Sequence, residues 1–321
     1  MRLEGTTLGR DGWAVLLTAL HSNPRNRFAS WDLSSQDLDD ETSVLLAKYI
    51  TSSVNLTSLD LRTTRLSAVG AKIVGKALRA SKSMTTITME DGVPLTIKQL
   101  QGTAEAGLAH KGGQLQEAGQ EGGSQQQVGQ QEGSQQQPQQ QEGMLNLAGK
   151  RIGPLSLSVV AMLVVDHPCL AQLNLARNRL CGLQYQESTR RLAGEFTSGG
   201  LAVLADALPR CRTLTALNLS NNALVNQGKD LGGLRQVMSA IGRCASLKHC
   251  NLSANELGHA GVEAALESMG AAASLAELDV HNNVLDEHTQ MELMVLVGRL
   301  KRENALPPGL LVIYKRSRAS A

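Results

Sequence analysis

Residues 213–224 read TLTALNLSNNAL, in which Leu214, Leu217, Leu219, Asn222 and Leu224 spell L-x-x-L-x-L-x-x-N-x-L. Leu217 and Leu219 alternate with polar Asn218, the period of a short strand with one buried face. Leu214 and Leu224 bracket that strand. Asn222 falls where the chain leaves it, and there a side-chain amide can satisfy backbone groups that the turn leaves unpaired. One such unit cannot bury its apolar face alone, so the pattern has to recur in neighbours that stack.

It does recur. Leu170, Leu173, Leu175, Asn178 and Leu180 match at every position, and Leu275, Leu278, Val280, Asn283 and Leu285 match with one conservative change. Leu247, Cys250, Leu252, Asn255 and Leu257 place a cysteine at the second apolar site. Leu56, Leu59, Leu61, Thr64 and Leu66 place a threonine at the asparagine site. Phe28, Trp31, Leu33, Gln36 and Leu38 form an aromatic version. Met84, Ile87 and Met89 form a weak one, and Leu145, Leu147, Lys150 and Ile152 lack the first apolar residue. The asparagines at the matching site, Asn178, Asn222, Asn255 and Asn283, are therefore expected to be structural. A helical half repeats as well. Gly70, Val74 and Leu78 are spaced four apart, as are Gly200, Leu204 and Leu208, and Gly261, Ala265 and Met269, which puts each set on one helix face. The glycine allows strand and helix to approach closely.

These motifs resemble the ribonuclease-inhibitor type of leucine-rich repeat, whose long period of about 28 residues includes a full helix. That family includes the ribonuclease inhibitor, the repeat region of NOD-like receptors and the Ran GTPase-activating protein. The resemblance implies an α/β fold: a curved, horseshoe-shaped solenoid with parallel strands on the concave face and helices on the convex face. It does not select among those functions, because the shared motif is structural.

Departures from the period set the domain organisation. Phe28 to Leu56 and Leu56 to Met84 are each 28 residues. The next first position falls at Glu142, 58 residues on, and the excess is the glutamine- and glycine-dominated tract 112–143. Such a composition cannot bury enough apolar surface to offset ordering entropy, so a disordered insertion is expected there. Leu170 to Leu214 spans 44 residues, with the surplus in 181–198, which holds Tyr185, Phe196, Arg190 and Arg191. Leu214 to Leu247 spans 33, with the surplus near 225–232. Both insertions leave from the turn after a strand, on one edge, which often marks a binding edge in repeat proteins. The expected division is repeats over 1–111, the insertion 112–143, further repeats of the same solenoid over 144–303, and a terminal edge strand with a basic tail over 304–321. In that last part Leu310, Val312 and Tyr314 alternate, and Lys315, Arg316 and Arg318 read as a solvated tail. At the other end Leu3, Thr6 and Leu8 fit the close of a repeat strand, with Gly12, Leu16 and Leu20 its helix, so the chain begins in mid-repeat. Two readings stay open there: a longer protein has been cut, or Trp13, Phe28 and Trp31 cover the end of the core.

A net charge of +2 gives no electrostatic case for nucleic acid. The start MRLEGTTLGR lacks the apolar core of a signal peptide, and the most apolar run, 155–165, is too short to span a bilayer. Five cysteines without a C-x-x-C pair do not suggest zinc. Cys211 and Cys244 occupy equivalent repeat positions and read as small buried side chains in a reducing cytoplasm rather than a disulfide. No nucleophile triad, phosphate-binding loop or paired-carboxylate motif is evident, and no cofactor or metal is implied.

Candidate contact residues follow from the strand face. A column of Asp32, Asp60, Thr88, Asn146, Asn174, Asn218, Asn251 and Asp279 runs along it, flanked by small residues. His249, Asp279 and His281 are brought together by the repeat and suggest a polar binding surface rather than catalysis. Arg177, Phe196, His249, Asn251, Glu277, Asp279 and His281 are therefore the expected protein-binding residues, with Phe196 as an anchor from the insertion. The expected function is a non-enzymatic scaffold binding a protein partner, with no nucleic acid or membrane. Alternatives are a GTPase activator of the Ran-activator type, against which the basic chain end counts, and an enzyme inhibitor of the ribonuclease-inhibitor type, for which this face is poor in acidic and aromatic residues.

Overall fold

The computed structural model of the chain describes residues 8–23, 25–102, 143–186, 188–189, 191–270 and 273–315. The insertion 112–143, all but Gly143, lies outside these residues, as do Leu3, Thr6, Arg190, Arg316 and Arg318.

The described residues form a mixed α/β structure in which short parallel strands alternate with helices. The first part runs α1 (Arg10–Ser22), β1 (Ser30–Asp32), α2 (Asp40–Ser52), β2 (Ser58–Asp60), α3 (Ala68–Ala80), β3 (Thr86–Thr88), β4 (Pro94–Thr96) and the short α4 (Ile97–Gln101). The second runs β5 (Met144–Asn146), α5 (Pro154–Val164), β6 (Gln172–Asn174), β7 (Gln184–Gln186), β8 (Arg191–Ala193), α6 (Gly199–Ala207) and β9 (Ala216–Asn218). It continues through α7 (Gly232–Gly242), β10 (His249–Asn251), α8 (Gly258–Met269), β11 (Glu277–Asp279), α9 (Glu287–Arg302) and β12 (Leu311–Ile313).

Each parallel strand is three residues long because only its middle residue points inward. Trp31, Leu59, Ile87, Leu145, Leu173, Leu217, Cys250 and Leu278 are all buried at that position. The parallel strands pair in one register, Leu173 with Leu217, Leu217 with Cys250, Cys250 with Leu278 and Leu278 with Val312. Three residues past the strand the backbone turns left-handed, at Ser35, Thr63, Arg177, Asn221, Ala254 and Asn282, with φ between 53° and 61°. Gly149 takes the same place after β5.

After β3 this turn is replaced. The positive φ falls at Gly92 instead, one residue later, and the chain reverses so that β4 pairs antiparallel with β3, Ile87 opposite Leu95. The strands therefore form two sheets, β1-β2-β3-β4 and β12-β11-β10-β9-β6-β5, with β7-β8 as a separate hairpin. The expectation of regular repeats up to residue 111 is corrected here. The Asp91-Gly92 pair between two short alternating segments is a hairpin-turn signal, and it overrides the repeat.

The helix layer continues across this break, with α3 packed directly on α5 and α5 on α6. Gly75 makes the approach possible: a Cβ there would lie 2.9 Å from Met162 Cβ and 3.2 Å from Val159 Cα. Gly200 does the same between α6 and α5, where a Cβ would meet the Pro154 carbonyl oxygen at 2.6 Å. Helix α5 is buried from Ser156 to Val164, packed between α3 and α6 with α4 against it. This accounts for its all-round apolar sequence. Among the described residues no helix is long and apolar enough to cross a membrane.

Near α1, Trp13 and Trp31 are buried, with Trp31 edge-on to Tyr49 at 5.5 Å between ring centroids, whereas Phe28 is 38% exposed.

Candidate functional site

The turn asparagines form a continuous ladder. Asn222 Nδ2 donates to the carbonyls of Leu175 and Leu219, each at 3.0 Å, and Asn255 Nδ2 to those of Leu219 and Leu252 at 3.0 and 2.9 Å. Asn178 and Asn283 repeat the arrangement on Leu147 with Leu175 and on Leu252 with Val280. The Oδ1 atom of each accepts from the preceding unit: Asn178 N donates to Asn222, Asn222 N to Asn255 and Asn255 N to Asn283. One side chain thus satisfies groups of its own turn and of its neighbour. In the first sheet Thr64 manages one such bond, to the Leu61 carbonyl at 2.9 Å.

A second ladder involves the strand-face column. The Oδ1 atoms of Asp32, Asp60, Asn146, Asn174, Asn218, Asn251 and Asp279 accept the N–H two residues on, from Ser34, Arg62, Ala148, Ala176, Ser220, Ser253 and His281, at 2.8–3.1 Å. These are Asx turns that bend the chain off the strand. The column, of which Asn251 and Asp279 were expected as contacts, is therefore partly committed to the backbone, because its residues sit at the last strand position.

The candidate contact residues divide. Asp279 was expected to face solvent and is corrected: it is 1% exposed. Its Oδ1 accepts from the His281 backbone and lies 2.6 Å from His281 Nδ1, and β12 runs alongside with Ile313 opposite it. His281 is half-buried as this carboxylate's partner. Phe196 is corrected as well: it is partly buried and packs on the core, because the chain leaving β8 folds back onto the body, where Thr197 N bonds to the Cys181 carbonyl. His249 is exposed and Glu277 half-buried, and they face one another across β10 and β11 with Nδ1 and Oε2 3.8 Å apart. Asn251 lies half-buried on the same face, and Arg177 is exposed on the turn edge.

The register sets two outward rows across the second sheet. One is Met144, Gln172, Ala216, His249, Glu277 and Leu311; the other is Asn146, Asn174, Asn218, Asn251, Asp279 and Ile313. Between them lies a shallow depression lined by Gln172, Asn174, Asn218, His249, Asn251 and Glu277. Six strands at roughly 4.8 Å spacing make this face on the order of 24 Å wide.

The chemistry available there is hydrogen bonding and weak charge pairing. Among the described residues no group of three or more His, Cys, Asp or Glu side chains is placed to hold a metal ion. The cysteines are unpaired. Burial pushes the Cys181, Cys211 and Cys250 thiols up to about 12 and the Cys244 thiol to about 11, so they stay protonated and unreactive. Cys211 donates weakly to the Ala207 carbonyl and Cys244 to that of Ala240, within their helical turns.

Arg151 and Arg179 were not anticipated: together with the expected Arg177, and with Tyr185 of the insertion, they line a cleft between the turns and the β7–β8 hairpin. Arg151 and Arg179 stand six residues past the strand centres Leu145 and Leu173, so the repeat alignment itself puts them side by side.

No protein-family model matches the chain, and no curated protein matches it. Among solved structures, the chain is similar to the crystal structure of a TLR13–ssRNA13 complex, at 13% sequence identity and a TM-score of 0.20. That match covers 72% of this chain and 30% of the other, so this chain spans less than a third of its length.

Proposed function

We propose that the chain is a non-enzymatic protein-interaction module: a leucine-rich-repeat solenoid, working in a reducing cytoplasm, that binds a protein partner on its strand face and the adjoining turn edge. The observation that carries this reading is the second sheet. Six strands held in one parallel register present two outward rows of mostly polar side chains over a single shallow depression. The asparagine ladder fixes the turns, so the rows are a rigid array that loses little entropy on binding. The Asp279–His281 pair supports this reading over catalysis, since the carboxylate is spent on the backbone and on orienting the ring.

The test is site-specific photocrosslinking from a photoreactive residue at Gln172 on the strand face or at Glu267 on α8. Both positions are exposed. A partner captured from Gln172 and not from Glu267 supports the reading. Capture confined to Glu267 overturns it, and acceleration of GTP hydrolysis on a small GTPase at multiple turnover overturns its non-enzymatic part.

A further inference from the structure

The hairpin β7–β8 stands against the turn edge and closes a cleft of about 310 Å³. Its lining is unusual in charge. Arg151, Arg177 and Arg179 project from two consecutive turns, against one acidic residue, Glu256. Arg179 is already paired with Asp91, whose side chain is 2% exposed. Arg151 and Arg177 are exposed and make no ion pair or side-chain hydrogen bond among the described residues. Both have left-handed backbone, φ 57° and 55°. That conformation belongs to the turn, since the equivalent positions of other units hold residues as different as Thr63, Asn221, Ala223, Glu256 and Val284 at positive φ, so the turn holds the backbone of both arginines in a fixed geometry at the cleft. The opposite wall is apolar at its centre. Tyr185 and Leu192 are cross-strand partners on the hairpin and share the face turned to the cleft, and Tyr185 is 52% exposed.

We propose that this cleft docks an acidic peptide segment. Carboxylates of the segment engage the guanidinium forks of Arg151 and Arg177, and a neighbouring apolar side chain lies on Tyr185 and Leu192. The guanidinium fork matches a carboxylate with two parallel hydrogen bonds. A polynucleotide fits less well: the chain's net charge is only +2, and Glu256 sits at the cleft wall. The proposal rests on the reading of the chain as a protein-interaction module and adds the chemistry of one contact.

The experiment is fluorescence anisotropy of the full chain with a labelled peptide of alternating glutamate and leucine, and with its glutamine analogue. The glutamate peptide is expected to bind and the glutamine peptide not to. The double variant Arg151→Glu/Arg177→Glu should weaken binding at least about tenfold, as loss of charge-assisted bonds implies. Arg151→Lys/Arg177→Lys, which keeps the charge, should fold like the parent and bind at an intermediate level. Arg235→Glu, exposed on α7, should change binding less than about twofold. Failure of the parent chain to bind the glutamate peptide overturns the proposal, as does equal loss in Arg235→Glu or retention in the double reversal. Equal binding of a single-stranded RNA of matched charge overturns it too, in favour of nucleic acid. Crosslinks confined to the helix face, together with arginine-dependent peptide binding, sink the strand-face reading and leave this one standing.

Discussion

The Glu90 carboxylate accepts the backbone N–H groups of Leu155 and Ser156, at 2.9 and 3.0 Å, and so caps the start of α5 from the other side of the sheet break. Helix α5 begins at Pro154 after Gly153 and has no side-chain cap of its own. A carboxylate there also meets the positive end of the helix. Beside it Asp91 pairs with Arg179, so two consecutive acids of the β3–β4 loop hold the second sheet to the first. Glu90→Ala is expected to lower stability by about 1–3 kcal/mol through the lost cap and charge–dipole term. Arg179→Ala is expected to cost more, about 3–5 kcal/mol, because it strands a buried carboxylate. Urea unfolding midpoints decide both, and a neutral Glu90→Ala would show that the helix start is held by packing alone.

Asn222 is 1% exposed and sits inside the ladder, whereas Asn178 at its end is only half-buried. Asn222→Ala leaves the Leu175 and Leu219 carbonyls and the Asn178 N–H without this partner, and should cost about 1–3 kcal/mol. Leu219→Ala, at a residue with no exposure, should cost about 2–5 kcal/mol by cavity formation. Denaturant melts of the two, with Asn178→Ala beside them, should rank Asn222 above Asn178. The reverse order would remove the ladder as the reason for these asparagines.

Two helices begin on an aspartate whose charge matters. Asp39 accepts the Thr42 N–H at 2.7 Å, and Asp286 accepts the Thr289 N–H at 2.8 Å. Those bonds are the largest reason that both carboxyls lie below the ordinary carboxylate range. A lowered folded value means the cap's contribution is complete above the ordinary aspartate pKa and fades as pH falls through the folded one. Amide-exchange protection of Thr42 and Thr289, followed by NMR on acidification, should therefore drop only below the ordinary aspartate range. Asp39→Asn still caps but cannot titrate, so protection of Thr42 in that variant should be flat across the same interval. A parallel fall in the variant would assign the loss to global acid unfolding.

The strands, their shared register and the role of the turn asparagines were legible because each rests on a local pattern that the chain repeats. The interruption at β3 was not read from the sequence, although Asp91-Gly92 carried its signal, because Met84, Ile87 and Met89 also satisfied the weak repeat pattern. Glu90 and Asp91 act on Ser156 and Arg179, far along the chain, and no spacing rule links residues that meet only across a break in the fold. The site was half legible. Alternation put His249 and Glu277 on the outer face correctly, but it cannot tell an outward residue that is free from one such as Asp279, which its own turn and the next strand consume. Phe196 failed for a related reason: an aromatic in an insertion has as much to gain from the core as from a partner.

Glu277 separates stability from binding. It lies in the outer row of the second sheet, half-buried, and the His249 ring is its one contact at ion-pair distance among the described residues, at 3.8 Å. A pair of that kind contributes roughly 0–1 kcal/mol. Glu277→Lys should therefore shift the unfolding free energy by less than about 1 kcal/mol, since a lysine can carry its ammonium into solvent along the same face. At the partner interface the reversal replaces an acceptor by a like or mismatched charge, a change that costs several kcal/mol where it is desolvated. Glu263→Lys on α8 changes charge by the same amount on the helix side, and long-range electrostatics predict equal effects for both. Only a contact at the strand face predicts loss for Glu277→Lys alone. Affinity of each variant for the crosslinked partner, measured by calorimetry beside the parent chain, discriminates the two, and equal affinities would remove Glu277 from the interface.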